Sequence, residues 1–175
     1  MPNNDSPEAR LTRKFWKELN SSPFMMLGLQ GVEDTQTRPM TAQIDVAEGA
    51  DAEDGGQIYF FGAKSERLVQ GIDGKHRAVA TFASKRHDLF AHVHGTLVID
   101  NYRAVIDRLW GPVIDSWYRQ GKDDPDLALL RFDTEQADIW EADLGSTLKA
   151  VLIKLTGRDP GKDHQKKNRA EVQLT

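Results

Sequence analysis

The feature that most constrains the fold of this chain is a series of short apolar segments with only a few polar or glycine-rich residues between them. Residues 40–46 alternate apolar and polar side chains with a period of two, which is typical of a half-buried strand. Further strands are predicted at 24–29, 58–61, 77–83, 89–99, 127–132 and 137–140. The spacing is too short for repeated strand–helix–strand units, which disfavours a parallel doubly wound sheet. The pattern favours a mainly antiparallel β-barrel with peripheral helices.

Helices are predicted at the two ends of this barrel and in two of its connections. Leu11, Phe15 and Leu19 recur every four residues, and Ser6 precedes them as an N-cap, so the first helix is amphipathic. The other helices are expected from Ser65 to Ile72, from a cap at Asp100 to the break at Gly111-Pro112, from that break to Tyr118, and from Leu144 to Leu155.

The composition fits one globular domain. The chain has 175 residues, and we assign residues 1–156 to the domain and residues 157–175 to a basic tail that we expect to be flexible. No cysteine is present, which excludes disulfides, thiolate metal sites, thiol catalysis and iron–sulfur clusters. The net charge of -4 argues against a general nucleic-acid binder. The apolar runs are too short to span a membrane, residues 1–5 lack the basic and apolar regions of a signal peptide, and we expect a cytoplasmic protein.

Most motifs of known catalytic chemistry are missing. The sequence has no Gly-x-Ser-x-Gly, no Gly-x-Gly-x-x-Gly and no phosphate-binding loop ending in Gly-Lys-Ser/Thr. His92 and His94 lie two apart on a predicted strand and share a face, but a metal site needs three or four ligands. We therefore predict no metal site and assign no catalytic residue.

Two weaker patterns point to a phosphate-bearing aromatic ligand. Ser65 would begin a short helix whose free N–H groups could hold a phosphate, with Lys64 and Arg67 adding positive charge. Arg38, at the start of an earlier strand, could reach the same place. Tryptophan indoles beside a polar loop would suit a flat cofactor, although core packing is the ordinary role of such residues. The tryptophans are at positions 16, 110, 117 and 140.

Three stretches resemble the FMN-binding split-barrel superfamily of pyridoxamine 5'-phosphate oxidases, in its bacterial general stress protein branch. They are residues 38–41 (Arg-Pro-Met-Thr), 58–67 (Ile-Tyr-Phe-Phe-Gly-Ala-Lys-Ser-Glu-Arg) and the fairly specific 117–126 (Trp-Tyr-Arg-Gln-Gly-Lys-Asp-Asp-Pro-Asp). The resemblance covers roughly residues 7–156. It implies an antiparallel split β-barrel and a homodimer that binds FMN, with FAD as the alternative, in a cleft between the subunits.

The resemblance also implies the residues of the flavin site. Arg38, Met40 and Thr41 would lie along the flavin ring and phosphate side, and Phe60 and Phe61 near the ribityl chain. The phosphate would be held by Lys64, Ser65 and Arg67. Trp140 would reach the flavin from the partner subunit, and Trp110 and Trp117 are neighbours by position only.

The chain departs from the oxidases at the substrate site. Their Arg-x-His-x-x-Arg motif should follow Trp140, but residues 141–149 contain neither arginine nor histidine. Pyridoxamine-phosphate oxidase activity is therefore not expected. The function that remains is a stress-related flavoprotein with oxidoreductase activity on an unidentified substrate. The alternatives are a flavin-binding or sensing module without turnover, or a split barrel that binds a deazaflavin or haem.

Overall fold

The computed structural model of the protein describes residues 6–32, 37–142 and 169–174. The helices are α1 (Pro7–Ser21), α2 (Arg67–Gln70), α3 (Arg103–Leu109) and α4 (Pro112–Asp115). The strands are β1 (Phe24–Leu29), β2 (Arg38–Asp45), β3 (Gln57–Ala63), β4 (His76–Ala83), β5 (Leu89–Ile99), β6 (Leu127–Glu141) and β7 (Arg169–Gln173). No helix in these ranges is long and apolar enough to cross a membrane.

The strands form a closed antiparallel barrel. Their order is β3-β2-β1-β4-β5-β6, and β6 returns to pair with β3, so six strands close the ring. The alternation seen in the sequence places one face of each strand inside, where Phe60 and Phe132 are fully buried. The predicted fold class, an antiparallel split β-barrel with peripheral helices, is confirmed.

The first helix forms as the sequence predicts and packs against the barrel. The Ser6 hydroxyl accepts a hydrogen bond from the Ala9 N–H at 3.2 Å, which caps the helix. Leu11, Phe15 and Leu19 are buried and join the core of the barrel, together with Trp16. Trp16 therefore has the ordinary core role.

Five predicted elements differ from those observed. The strands expected at 127–132 and 137–140 are one strand, β6, because the polar residues between them continue the pairing with β5. Asp100 does not cap α3, since its carboxylate binds Arg131 at 2.5 Å and the helix begins at Arg103. The helix expected from Ser65 to Ile72 is the four-residue α2, and the one expected to reach Tyr118 is α4, which ends at Asp115.

The C-terminal tail was expected to be flexible, but residues 169–173 are ordered in a strand. Residues 169–173 form β7, which pairs with the second half of β6. Ala170 and Val172 are buried there, so the strand contributes to the core although its other residues are polar. The helix expected at 144–155 and residues 157–168 of the tail lie outside the described residues.

The outer surface of the barrel is covered unevenly. Helices α3 and α4 cover β3 and the start of β6, where Tyr59, Phe61 and Leu129 pack against them. The outer face of β2, β1, β4, β5 and the end of β6 carries several apolar side chains that remain exposed, namely Phe24, Met26, Phe90 and Trp140. We call this surface the outer sheet face.

Candidate functional site

The predicted phosphate residues come together at one corner, where β3 leads into α2. We call this corner, formed by Arg38 and residues 64–67, the cationic corner. Arg38 reaches it from the start of β2, and its Nη2 lies 3.0 Å from the Glu66 Oε1. Arg67 is exposed, and its guanidinium forms no hydrogen bond or ion pair within the described ranges. One guanidinium of this corner therefore remains open to an added anion.

Ser65 does not begin the helix, although the sequence suggested that it would. Its N–H donates to the Asp126 Oδ1 at 2.8 Å, and its hydroxyl donates to the Asp126 Oδ2 at 2.7 Å. The helix starts two residues later, and Glu66, at its N-cap, makes no side-chain cap. The sequence did not reveal this pairing because Asp126 is 61 residues away along the chain.

An apolar groove lies on the outer sheet face. It has a volume of about 440 Å³ and is lined by residues that include Phe24, Met26, Pro39, Phe90 and Trp140. This volume falls within the usual range of small-molecule sites, roughly 300–1,000 Å³. Pro39 lines the groove, and Arg38 of the cationic corner is the residue before it in β2.

Trp140 forms one wall of the groove. The guanidinium of Arg169 lies 5.3 Å from the centroid of its ring, and the same guanidinium binds Asp138 at 2.8 Å. A flat ligand that stacks on Trp140 would therefore use the ring face away from Arg169 or displace it. Sequence reasoning did not detect Arg169, because the tail was not expected to pair with β6.

His92 also lines the groove. Its ring stacks on that of His94, with centroids 4.5 Å apart and planes 20° from parallel. The Nε2 of His92 is buried and has no hydrogen-bond partner within the described residues. Burial lowers the pKa of His92, the nearby His94 lowers it further, and Asp138 opposes both effects. No group of side chains in these ranges could hold a metal ion.

Two of the other predicted site residues belong to an aromatic cluster beneath α3 and α4. The ring of Trp110 lies edge-on to Phe61, with centroids 5.6 Å apart, and is tilted against Tyr118 at 5.8 Å. The Tyr118 hydroxyl donates to the Gly62 carbonyl at 2.8 Å, and burial raises the pKa of this phenol. Trp117 is half exposed.

Of three further predicted residues, two have their side chains inside the barrel and one lies on its outside. The side chains of Met40 and Phe60 are buried in the core, so only their backbones could contact a ligand outside the barrel. Thr41 pairs with Phe24 in the ladder between β1 and β2, beside the groove. The structure thus groups Arg38, Lys64, Ser65 and Arg67 at the corner and Thr41 and Trp140 on the outer sheet face.

A family model described as pyridoxamine 5'-phosphate oxidase like matches residues 11–161. The chain belongs to this family. No curated protein matches it. The pyridoxamine 5'-phosphate oxidase-like assignment agrees with the barrel topology and with the resemblance found in the sequence.

Several solved structures of this family are similar to the chain. A general stress FMN/FAD binding protein from Xanthomonas citri is 46% identical, with a TM-score of 0.69, and the match covers 77% of this chain and 90% of that one. A general stress family protein from Xanthomonas campestris pv. campestris is 47% identical, with a TM-score of 0.70 and coverage of 78% and 90%. A general stress protein 26 from Jannaschia sp. CCS1 is 29% identical, with a TM-score of 0.71 and coverage of 94% and 99%.

Proposed function

We propose that the protein is a stress-related flavoprotein that binds FMN non-covalently. The ring would lie in the apolar groove and the phosphate at the cationic corner. The observation that carries the proposal is an apolar groove with Trp140 in its wall, together with a cationic corner whose Arg38 precedes the groove residue Pro39 in β2. FMN has the same division, with a flat aromatic ring at one end and a dianionic phosphate at the other.

The residues present fit the flavin. The groove offers aromatic and apolar walls of the kind that bury ring systems, and Arg67 offers a free guanidinium for the phosphate. The FMN/FAD binding protein from Xanthomonas citri, at 46% identity, supports the same cofactor class. Bound flavin would supply electron and hydride transfer, while the chain binds it, orients it and excludes water.

The proposal includes a homodimer with the flavin at its interface. Phe24 is 63% exposed and Met26 41% exposed on the outer sheet face, and monomeric proteins rarely leave such contiguous apolar surface uncovered. A second copy placed against this face would cover it and would give the flavin ring a second wall. Homodimer interfaces are enriched in apolar and aromatic side chains of this kind.

A binding or sensing role without turnover is the second candidate. Within the described residues, His92 is the one titratable side chain that lines the groove, and its Nε2 is already covered by protein. The groove therefore presents no exposed general acid or base. Any oxidoreductase activity would depend on the flavin itself and on an unidentified substrate, and pyridoxamine-phosphate oxidation is not proposed.

Cofactor identification tests the proposal. The absorption spectrum of the purified protein, followed by chromatography of the denatured supernatant, should reveal FMN. The stripped protein should rebind FMN with quenching of flavin fluorescence. Rebinding of FAD but not FMN would replace the cofactor assignment, and a haem or deazaflavin spectrum would overturn it. Oxidation of NADH or NADPH under air by the loaded protein would favour the enzyme over the binding module.

Variants locate the flavin ring. Trp140→Ala should weaken FMN and riboflavin alike, because both ligands carry the ring. Tyr102→Ala is the matched control, since Tyr102 is an aromatic residue that is 65% exposed and does not line the groove. Equal effects of the two variants would contradict a ring site at Trp140.

A further inference from the structure

Four hydrogen bonds join the Lys64-Ser65 segment to the Pro125-Asp126 segment. Two are the bonds from Ser65 to the Asp126 carboxylate, at 2.8 and 2.7 Å. The other two are donated by Lys64, from its N–H to the Asp126 carbonyl at 2.7 Å and from its Nζ to the Pro125 carbonyl at 2.8 Å. The contacts continue the pairing of β3 with β6, whose last partners are Ala63 and Leu127.

This arrangement changes which groups can bind a phosphate. Both donors of Ser65 already bind a carboxylate, whose charge would repel a phosphate brought to the same two atoms. Arg67, two residues farther along, has no competing anion within the described part of the chain. Arg38 lies on the Glu66 side of the corner. The cation that remains free to bind a phosphate is therefore at the start of α2 and not at Ser65.

We infer that Asp126 is a positioning residue for the flavin phosphate, and that Ser65 is the residue through which it acts. The carboxylate fixes the backbone at Ser65, and this fixes the point from which the Arg67 side chain extends. Ser65 itself is not a phosphate ligand. The inference rests on the proposed FMN site and adds to it a residue from the loop before β6.

The test compares FMN with riboflavin, which lacks the phosphate, in fluorescence titrations of the stripped protein. Asp126→Ala and Ser65→Ala should each weaken FMN about tenfold, as expected when one charged hydrogen-bonding arrangement is lost. Riboflavin should change less than about twofold, because its ring site is untouched. The double variant should be no weaker than Asp126→Ala alone, because Asp126→Ala already removes both Ser65–Asp126 hydrogen bonds.

Asp123→Ala is the matched control. It removes a carboxylate from the same loop, but that carboxylate binds Arg103 at 2.6 Å and does not contact Ser65. FMN and riboflavin should both bind this variant as they bind the wild type. Thermal unfolding of every variant shows whether the fold is intact.

Three outcomes would overturn the inference while the proposed function stands. Tighter FMN binding by Asp126→Ala would mean that the carboxylate competes with the phosphate for Ser65. Equal losses for FMN and riboflavin would mean that Asp126 only supports the fold. Additive losses in the double variant would mean that Ser65 binds the phosphate directly. A wild-type chain that binds neither ligand would overturn the proposed function itself.

Discussion

The basic side chains at the cationic corner differ in whether they already have a hydrogen-bond or ion-pair partner. Arg38 is paired with Glu66, and Lys64 donates to the Pro125 carbonyl, whereas Arg67 is exposed and forms no ion pair within the described residues. A phosphate gains most from the group that has no other partner. Arg67 is therefore the residue that should distinguish FMN from its dephosphorylated form.

Arg67→Ala should weaken FMN binding by about 1.5–3 kcal/mol, the usual contribution of a hydrogen bond to a charged group. Riboflavin should be nearly indifferent to the change. Parallel fluorescence titrations of wild type and variant with both ligands measure the difference. The same loss for both ligands would show that Arg67 does not hold the phosphate.

His92 predicts a pH dependence of stability. Its pKa is lowered in the folded protein by burial and by His94, so the unfolded chain takes up the proton more readily. The stabilising effect of neutral His92 is therefore complete above its unfolded pKa, about 6.5, and is lost as the pH falls towards the folded pKa. The charged and titratable neighbours of His92 are His94 on the same strand, Asp138 on β6 and Arg169 on β7.

Urea unfolding between pH 5 and 7.5 should thus show a free energy of unfolding that falls towards acid. His92→Phe should flatten this slope, because the variant removes the group that gains the proton on unfolding. An unchanged slope in the variant would assign the pH dependence to other groups.

At the scale of elements, the long strand β6 depends on a local irregularity. The register between β5 and β6 shifts between His94 and Gly95, where His94 pairs with Gln136 and Gly95 with Thr134. A Cβ on Gly95 would lie 2.3 Å from the carbonyl oxygen of Asp133. Glycine at this position lets β6 continue past its polar middle.

Gly95→Ala should lower the free energy of unfolding by about 1–3 kcal/mol, the usual cost of overpacking. Gly111→Ala is the matched control, since no atom lies within 4 Å of a Cβ placed there. Thermal or urea unfolding of both variants gives the comparison. Equal stability of the two variants would show that the backbone at Gly95 yields without cost.

The elements that the sequence predicted well are those whose signals are local. The period-two pattern predicted β2, the apolar segments between polar turns predicted β4 and β5, and the Ser6 cap with its apolar stripe predicted α1. The signals that failed depend on partners far along the chain. The sequence around Ser65 indicated a helix start, but its donors bind Asp126. Asp100 was expected to cap α3, but its carboxylate binds Arg131.

The sequence predicted some residues of the candidate site and missed others. The resemblance identified the residues of the cationic corner and Trp140, but the two buried residues Met40 and Phe60 alternate into the barrel. Phe24 and Phe90, which line the groove, were not detected because a single exposed aromatic residue in a strand carries no signal of its own. Phe24 and Phe90 come close to Trp140 only because the strands pair in one sheet.

For the whole molecule, the uncovered outer sheet face is the feature that a single chain leaves unexplained. We propose that a second copy covers it. Phe24→Ser should shift the protein towards monomer and weaken flavin binding, because Phe24 is 63% exposed in one chain and its loss should not disturb the core. Val113→Ser, at 65% exposure on α4, is the control and should change neither property. Sedimentation velocity measures the assembly, and a dimer unaffected by Phe24→Ser would place the interface elsewhere.

We propose that two copies of the chain hold flavin between their outer sheet faces. Light scattering with flavin absorbance, recorded on the loaded protein as it is diluted, tests this claim most directly. We expect a particle of twice the 19.7 kDa chain mass with one flavin per chain, and we expect flavin to be released as the dimer dissociates. A particle of 19.7 kDa that retains its flavin would contradict it.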